Sequence, residues 1–362
     1  MVTAAHPLTN FTAGELSPLM EGRADLAQYA NGCKTLQNFL VHPQGGIYRR
    51  GGTKYISDVK TASKKTRLVP FEFSTTQAYI LEFGENYIRF YKDQGQIEPG
   101  SPSAAVELST TYAEDELFDL QFAQSADILY IAHPNHHPAQ LSRTSHTAWT
   151  WADTALEEGP YLEENIEATT LTPSGTTGSI NITASATTGI NGGDGFQSTD
   201  VGRFIRIGHI ATEWAASTAY SVGDVVRNND NVYECIRAGT SDSSSGPTPG
   251  PTSEGDSIAD NTVLWKFQAD GGIQWGYALV DSITSTTVVA CTVQKTFGGT
   301  TAETSWRLGA WYGGSYPATV AFYEQRLFWA GSTDNPQTLW GSKSGDYYSH
   351  APGVLDDDAL VY

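Results

Sequence analysis

Residues Arg67–Ile97 read RLVPFEFSTTQAYILEFGENYIRFYKDQGQI. Tyr79, Leu81 and Phe83 alternate with Ile80 and Glu82, and Tyr87, Ile88, Phe90 and Tyr91 resume the pattern after Gly84-Glu85-Asn86. A period of two marks a strand with one buried face, and a short Gly/Asn break between two such runs marks a β-hairpin.

Two later stretches repeat the theme. In Phe118–Arg143, FDLQFAQSADILYIAHPNHHPAQLSR, Phe118, Leu120 and Phe122 form one run. Ile128, Tyr130 and Ala132 form a second, broken by Pro134, and Gln140-Leu141 opens a third. In residues 317–348, PATVAFYEQRLFWAGSTDNPQTLWGSKSGDYY, Val320 and Phe322 precede a turn, Leu327–Ala330 a loop, and Leu339-Trp340 begins a further strand. Repeated antiparallel units of three or four strands are the sequence signature of β-propeller blades. A β-sandwich gives the same alternation, so the pattern alone leaves both open.

Composition agrees with a mainly β chain. Only 17% of the 362 residues are charged and 36 are Gly, which disfavours a helical bundle. The 40 acidic residues outnumber 21 basic ones, giving a net charge of −19. That balance opposes ordinary nucleic-acid binding, which needs Lys and Arg at phosphates. It suits either solubility or an acidic channel wall past which a duplex slides without sticking. Cys33, Cys235 and Cys291 are too scattered for a zinc motif or a disulfide framework. No basic region followed by an apolar run opens the chain, and no stretch approaches a membrane-spanning length, so a soluble protein is expected.

N-terminal to the hairpin, Asn10–Ile56 reads NFTAGELSPLMEGRADLAQYANGCKTLQNFLVHPQGGIYRRGGTKYI. Gly and Pro divide it into short pieces. Leu26, Tyr29, Leu36, Phe39 and Leu40 predict the apolar face of a helix from about Asp25 to Leu40, with Asp25 at its start. The order of Gly14-Glu15-Leu16-Ser17-Pro18, Gly22-Arg23-x-Asp25, Tyr29, Asn38-Phe39 and Pro43-x-Gly45-Gly46-x-x-Arg49-Arg50-x-Gly52-Thr53 resembles the start of the tail tubular protein B, or nozzle, of short-tailed bacteriophages. Gly313, Tyr316, Pro317, Phe322, Gln325, Arg326, Leu327, Pro336, Gln337, Leu339, Trp340 and Ser342 resemble a later segment of that family. The resemblance implies a structural virion protein built on a propeller-like β platform. It implies a ring, a hexamer by analogy, beneath portal and adaptor, through which phage DNA passes without specific binding. Such a protein assembles in the bacterial host cytoplasm and resides in the virion tail. Glu15, Arg23, Asp25, Arg49 and Arg50 are the expected assembly or packing anchors. The family proteins are longer, so the chain is read either as a short member or as the front of a longer one.

Between the second and third units, residues 165–212 and 273–311 read as one β-module interrupted by another at 213–272. The inner module, WAASTAYSVGDVVRNNDNVYECIRAGTSDSSSGP followed later by TVLWKFQ, carries Trp214, Tyr220, Gly223, Asp224, Val226, Tyr233 and Trp265. This spacing resembles the small chitin-binding modules of carbohydrate-binding families 5 and 12. Exposed aromatic rings bind sugars by stacking on apolar pyranose faces. A module of this size also needs large rings for its own core, so Trp214, Tyr220, Tyr233 and Trp265 read as glycan contacts or as core.

Other candidates carry less. His133, His136 and His137 lie in a Pro-broken loop, with His146 beyond, and lack partner-ligand spacing; no metal is assigned to them. Asp356-Asp357-Asp358 lacks a calcium-loop pattern and reads as a solvated acidic run. The adjacent pairs Glu157-Glu158 and Glu163-Glu164 do not define an opposed catalytic pair, and nucleophile, metalloprotease and phosphate-loop motifs are absent from the sequence. No enzyme and no cofactor are expected. The reading is a propeller-like platform at 61–164 and 312–362, complete or partial, behind an N-terminal lacing segment at 1–60. It describes a tail nozzle component whose inserted module faces host glycan; the alternative is a carbohydrate-binding adhesin.

Overall fold

The computed structural model describes residues 8–74, 77–100, 104–247, 255–353 and 356–362. It comprises two compact units, residues up to Asp58 and residues from Val59 onward. The chain is mainly β, with 3-10 turns and no α-helix among the described residues. None of these elements is a helix long and apolar enough to cross a membrane.

In the N-terminal unit, Gly14–Glu15 pairs in parallel with Gly32–Cys33, and Phe39–Val41 forms a hairpin with Ile47–Arg49. The helix expected from Asp25 to Leu40 is not formed; a five-residue 3-10 helix, Ala27–Asn31, stands in its place. Three local features explain the difference. The Asp25 carboxylate is taken by both Nε and Nη2 of Arg23, so it does not cap the following amides. Gly32 sits against Leu16, whose side chain lies 2.6 Å from where a Cβ would be, and its extended backbone enters a strand. Asn38 has a left-handed φ of 63°, which turns the chain into the hairpin. Phe39 and Leu40, assigned to an apolar helix face, remain 45% exposed.

The larger unit begins with the expected hairpin. Gln77–Gly84 pairs with Tyr87–Lys92 from Gly84 opposite Tyr87 to Ile80 opposite Tyr91. Arg67–Ser74, Gly95–Gln96 and Glu107–Ser109 complete this sheet. The next sheet is a meander of Gln121–Ser125, Ile128–His133, His136–Arg143 and Trp149–Asp153. Its first strand starts later than the alternation of Phe118, Leu120 and Phe122 indicates. Residues 114–119 form turns, which leave Phe118 58% exposed while Leu117 and Leu120 go into the core. Its third strand starts earlier, at His136, because Pro134-Asn135 makes a two-residue turn. Pro138 is tolerated beside an irregularity in the ladder between Ile131 and His133.

These two sheets share one core, in which Trp149 stacks on Phe90 at 4.4 Å and meets Phe71 and Tyr79 edge-on. The other face of the second sheet supplies Tyr130 and Ala132 to a separate core with Trp311, Val320, Leu327, Trp329 and Trp340. That core belongs to the last sheet, formed by Thr319–Tyr323, Arg326–Ala330, Leu339–Gly341 and Leu360–Val361. Three small antiparallel sheets therefore follow one another in contact. They form no closed propeller among the described residues.

A six-stranded sheet lies between the second and last sheets in sequence. Its order is Leu171–Pro173, Ser179–Ala184, Val288–Lys295, Ile273–Ser285, Phe204–Ile210, Trp306–Leu308. Ile180, Ile182, Ile205, Ile207, Val280 and Val289 fill its core. The chain departs after Ile210 and returns at Ile273, which is Ile210's own cross-strand partner. Everything in between is suspended from one pair of adjacent strands.

Candidate functional site

The suspended segment builds its own sheet, in the order Val225–Asn228, Asn231–Arg237, Val263–Ala269, Ser257–Asp260, with a small ladder of Ala219–Tyr220 and Gly239–Thr240 beside it. Gly223 takes a φ of 93° in the turn before the first of these strands, and the Asp224 carboxylate accepts the Ser221 amide at 2.7 Å. The Gly-Asp pair therefore serves as turn chemistry. Val226, Tyr233, Cys235, Val263, Trp265 and Phe267 form the core.

The four aromatic rings divide between two roles. Tyr233 and Trp265 are fully buried. Trp214 and Tyr220 are half-buried and pack against this core from its edge, Tyr220 meeting Trp265 edge-on at 4.9 Å. The Tyr220 hydroxyl accepts the Ala215 amide at 2.9 Å. Both indoles donate to one buried carboxylate: Trp214 Nε1 and Trp265 Nε1 lie 2.8 and 2.9 Å from Asp260 Oδ2. Asp260 Oδ1 accepts the Asp242 amide at 2.8 Å. Asp260 thus ties the two tryptophans to the loop after Gly239–Thr240. The sequence reading missed it; its one outward signal is a lone acid ending a short strand next to a Trp-bearing one.

A cleft of about 570 Å³ opens beside the module's sheet. Val232, Glu234 and Phe267 line it from the module, and Arg206, Trp275 and Lys295 from the six-stranded sheet. The Arg206 guanidinium lies over the Trp275 ring at 4.7 Å and 3.5 Å from the Glu158 carboxylate. An aromatic surface bordered by paired charges is the kind of lining that small polar ligands use.

Residues 213–266 match the model of carbohydrate-binding module family 5/12. No curated protein matches the chain. The match covers the suspended segment and does not extend to the sheets around it.

The remaining candidates separate. Glu15 accepts the Leu36 amide at 2.7 Å, and Arg23 and Asp25 pair with each other on the surface. Arg49 and Arg50 are exposed, and their side chains have no ion-pair partner among the described residues. Glu158 is buried against Arg206, whereas Glu164 pairs with Arg307 at 3.4 Å. Asp358 departs from the expected solvated run: it is 5% exposed and pairs with Lys343 at 3.2 Å. Arg326 explains the inward turn, because its guanidinium binds the Asp356 and Asp358 carbonyls. His146 bonds the Tyr79 hydroxyl and His137 the Pro138 carbonyl, so neither joins His133 and His136. Those two are met by Glu116, which the sequence reading did not associate with them.

Proposed function

We propose that the chain is a structural component of a short-tailed bacteriophage tail, assembling as a ring that continues the genome-ejection channel, with its inserted module turned toward host glycan. One observation carries the glycan part. A segment matching a carbohydrate-binding module is suspended from two neighbouring strands of a larger sheet, as a display element is on a scaffold. The tail assignment is supported by the ordered N-terminal pattern from Gly14 to Thr53. The acidic balance suits a wall past which DNA slides without binding. The work is binding and assembly, with no catalytic step, in the virion and together with portal, adaptor and other tail proteins.

Light scattering of the purified chain, alone and with a portal–adaptor complex, tests assembly; retention on chitin tests the module. A ring-sized mass and chitin retention that disappears when the module is removed are the expected results. A monomer indifferent to portal and adaptor but retained on glycan would replace this reading with a free carbohydrate-binding adhesin, which the module match alone also fits. A monomer that does neither would remove both.

A further inference from the structure

We propose that Glu116, His133 and His136 form a binding site for a divalent transition-metal ion of the zinc type. The site lies at the turn of the hairpin Ile128–His133/His136–Arg143, far in sequence from the carbohydrate-binding match, and does not depend on the function proposed above.

The hairpin sets the geometry. His133 and His136 face each other as a cross-strand pair across Pro134-Asn135, which places both imidazoles on one side, with ring centroids 5.1 Å apart. The turn is held from outside, since the Tyr316 amide donates to the Pro134 carbonyl at 3.0 Å. His136 is fixed from two directions: Thr111 Oγ1 lies 3.3 Å from its Nδ1, and the Tyr112 ring meets it edge-on at 5.1 Å. These contacts aim His136 Nε2 at Glu116 Oε2, 2.8 Å away. The Glu116 carboxylate is anchored in turn by the Ala113 amide at 2.9 Å. The ligand atoms offered by the three residues all lie within 4.8 Å of one another.

Two imidazoles and a carboxylate suit zinc, cobalt or nickel, whereas calcium and magnesium favour all-oxygen sets. With metal–ligand bonds of about 2.0–2.1 Å in a tetrahedron, neighbouring ligand atoms stand roughly 3.3 Å apart. The Glu116–His136 contact of 2.8 Å needs to open by about half an ångström, and the His133 ring, whose ligand atom lies within 4.8 Å of the others, to swing in by at most roughly 1.5 Å. The ion takes the place of the proton shared by that pair, and the His136 proton moves to Nδ1, where Thr111 Oγ1 receives it in the manner of an outer-shell partner. His133 Nδ1 now accepts the Asn135 amide at 3.2 Å. Ligation through Nε2 gives up that contact. Three protein ligands leave the fourth position to water. A simple ion pair would require only Glu116 and His136; the third, buried imidazole distinguishes this cluster.

The test uses the full chain without an affinity tag, stripped with chelator and titrated with zinc chloride by calorimetry. One ion per chain is expected, with a zinc-dependent rise in melting temperature. His136→Ala and Glu116→Gln should each weaken binding at least about tenfold, as even loss of outer-shell partners commonly does. His137→Ala and His146→Ala should bind as the parent chain does. Should His136→Ala fail to fold, Glu116→Gln, which keeps shape and hydrogen bonding, decides alone. Absence of saturable binding overturns the proposal. So does an unchanged affinity in Glu116→Gln, or loss of binding in His146→Ala.

Discussion

Asp260 shows how much one buried side chain can hold. Its two oxygens satisfy two indole N–H groups and one backbone amide, linking the core ring Trp265 to the edge ring Trp214. Asp260→Ala leaves the buried Trp265 indole donor unpaired, at a cost of about 1–3 kcal/mol, and removes the partner of two partly buried donors that water can reach at less cost. A loss of roughly 2 kcal/mol is expected for the module, read by tryptophan fluorescence during guanidinium unfolding. A loss below about 1 kcal/mol would mean that water reaches the Trp265 indole as well. His350 makes the opposite case. It is 3% exposed, rests edge-on against Trp311, and neither ring nitrogen has a partner among the described residues. Burial pushes its pKa down to about 3. The sign follows from proton counting. Above about pH 6.5 the ring is neutral in both states; below it the unfolded chain takes up a proton that the native chain refuses until about pH 3. Stability therefore falls with acidification across that window, by an amount on the order of a few kcal/mol. His350→Phe keeps an aromatic ring and removes the proton site, so its stability should decline less steeply between pH 6.5 and 4 in parallel denaturant titrations. Burial also lowers His133 and His209, so a residual slope is expected. An unchanged slope would assign the acid sensitivity elsewhere.

At the scale of elements, the suspension of the module from neighbouring strands has a mechanical consequence. The Ala211 amide donates to the Gly272 carbonyl at 3.0 Å, just beyond the Ile210–Ile273 pair. The two chain ends are already at hairpin distance. Replacing residues 212–271 by Asn-Gly, the favoured two-residue turn, should leave the six-stranded sheet folded, with the far-ultraviolet spectrum of a β protein and a cooperative transition. An aggregated or unfolded product would show that the module supports the sheet it hangs from. What the sequence revealed and concealed follows the same scale. The Tyr79–Tyr91 hairpin was legible because its turn and its period of two are local. The Asp25–Leu40 helix does not form although its apolar spacing is real, because Gly32 packs on Leu16, which is distant in sequence, and because Arg23, two residues before Asp25, takes the carboxylate that would cap it. The late start of Gln121–Ser125 is a parallel case: turns at 114–119 send Leu117 and Leu120 inward, although Phe118 supplied the alternation. In the module the four rings were visible, but their division into buried and half-buried pairs is set by cross-strand packing. The meeting of Glu116 with His133 and His136 was hidden because a turn and a hairpin, separate in sequence, bring them together.

At the scale of the whole molecule, charge decides how copies can associate. With 40 acidic and 21 basic residues, two copies repel at long range, so a stable ring must place scarce cations where a neighbour offers carboxylates. Arg49 and Arg50 fit that role. They are exposed, adjacent at the end of a short hairpin strand, and without ion-pair partners among the described residues. Arginine's planar fork binds carboxylates more specifically than lysine's point charge does. Replacing both by Glu changes the chain from −19 by −4 to −23, and turns the proposed attraction into repulsion. The expected outcome is a monomer by light scattering, with an unaltered circular dichroism spectrum, under conditions in which the parent chain yields the mass of the proposed ring. Salt gives an independent check. The Debye length shrinks from about 10 Å at 0.1 M to about 3 Å at 1 M, which screens exposed pairs at a rim and long-range repulsion alike. If arginine–carboxylate pairs hold the ring, its dissociation rate rises with salt while the double variant stays monomeric throughout. A ring that survives both changes would be closed by apolar surface, and Arg49 and Arg50 would then have no part in assembly.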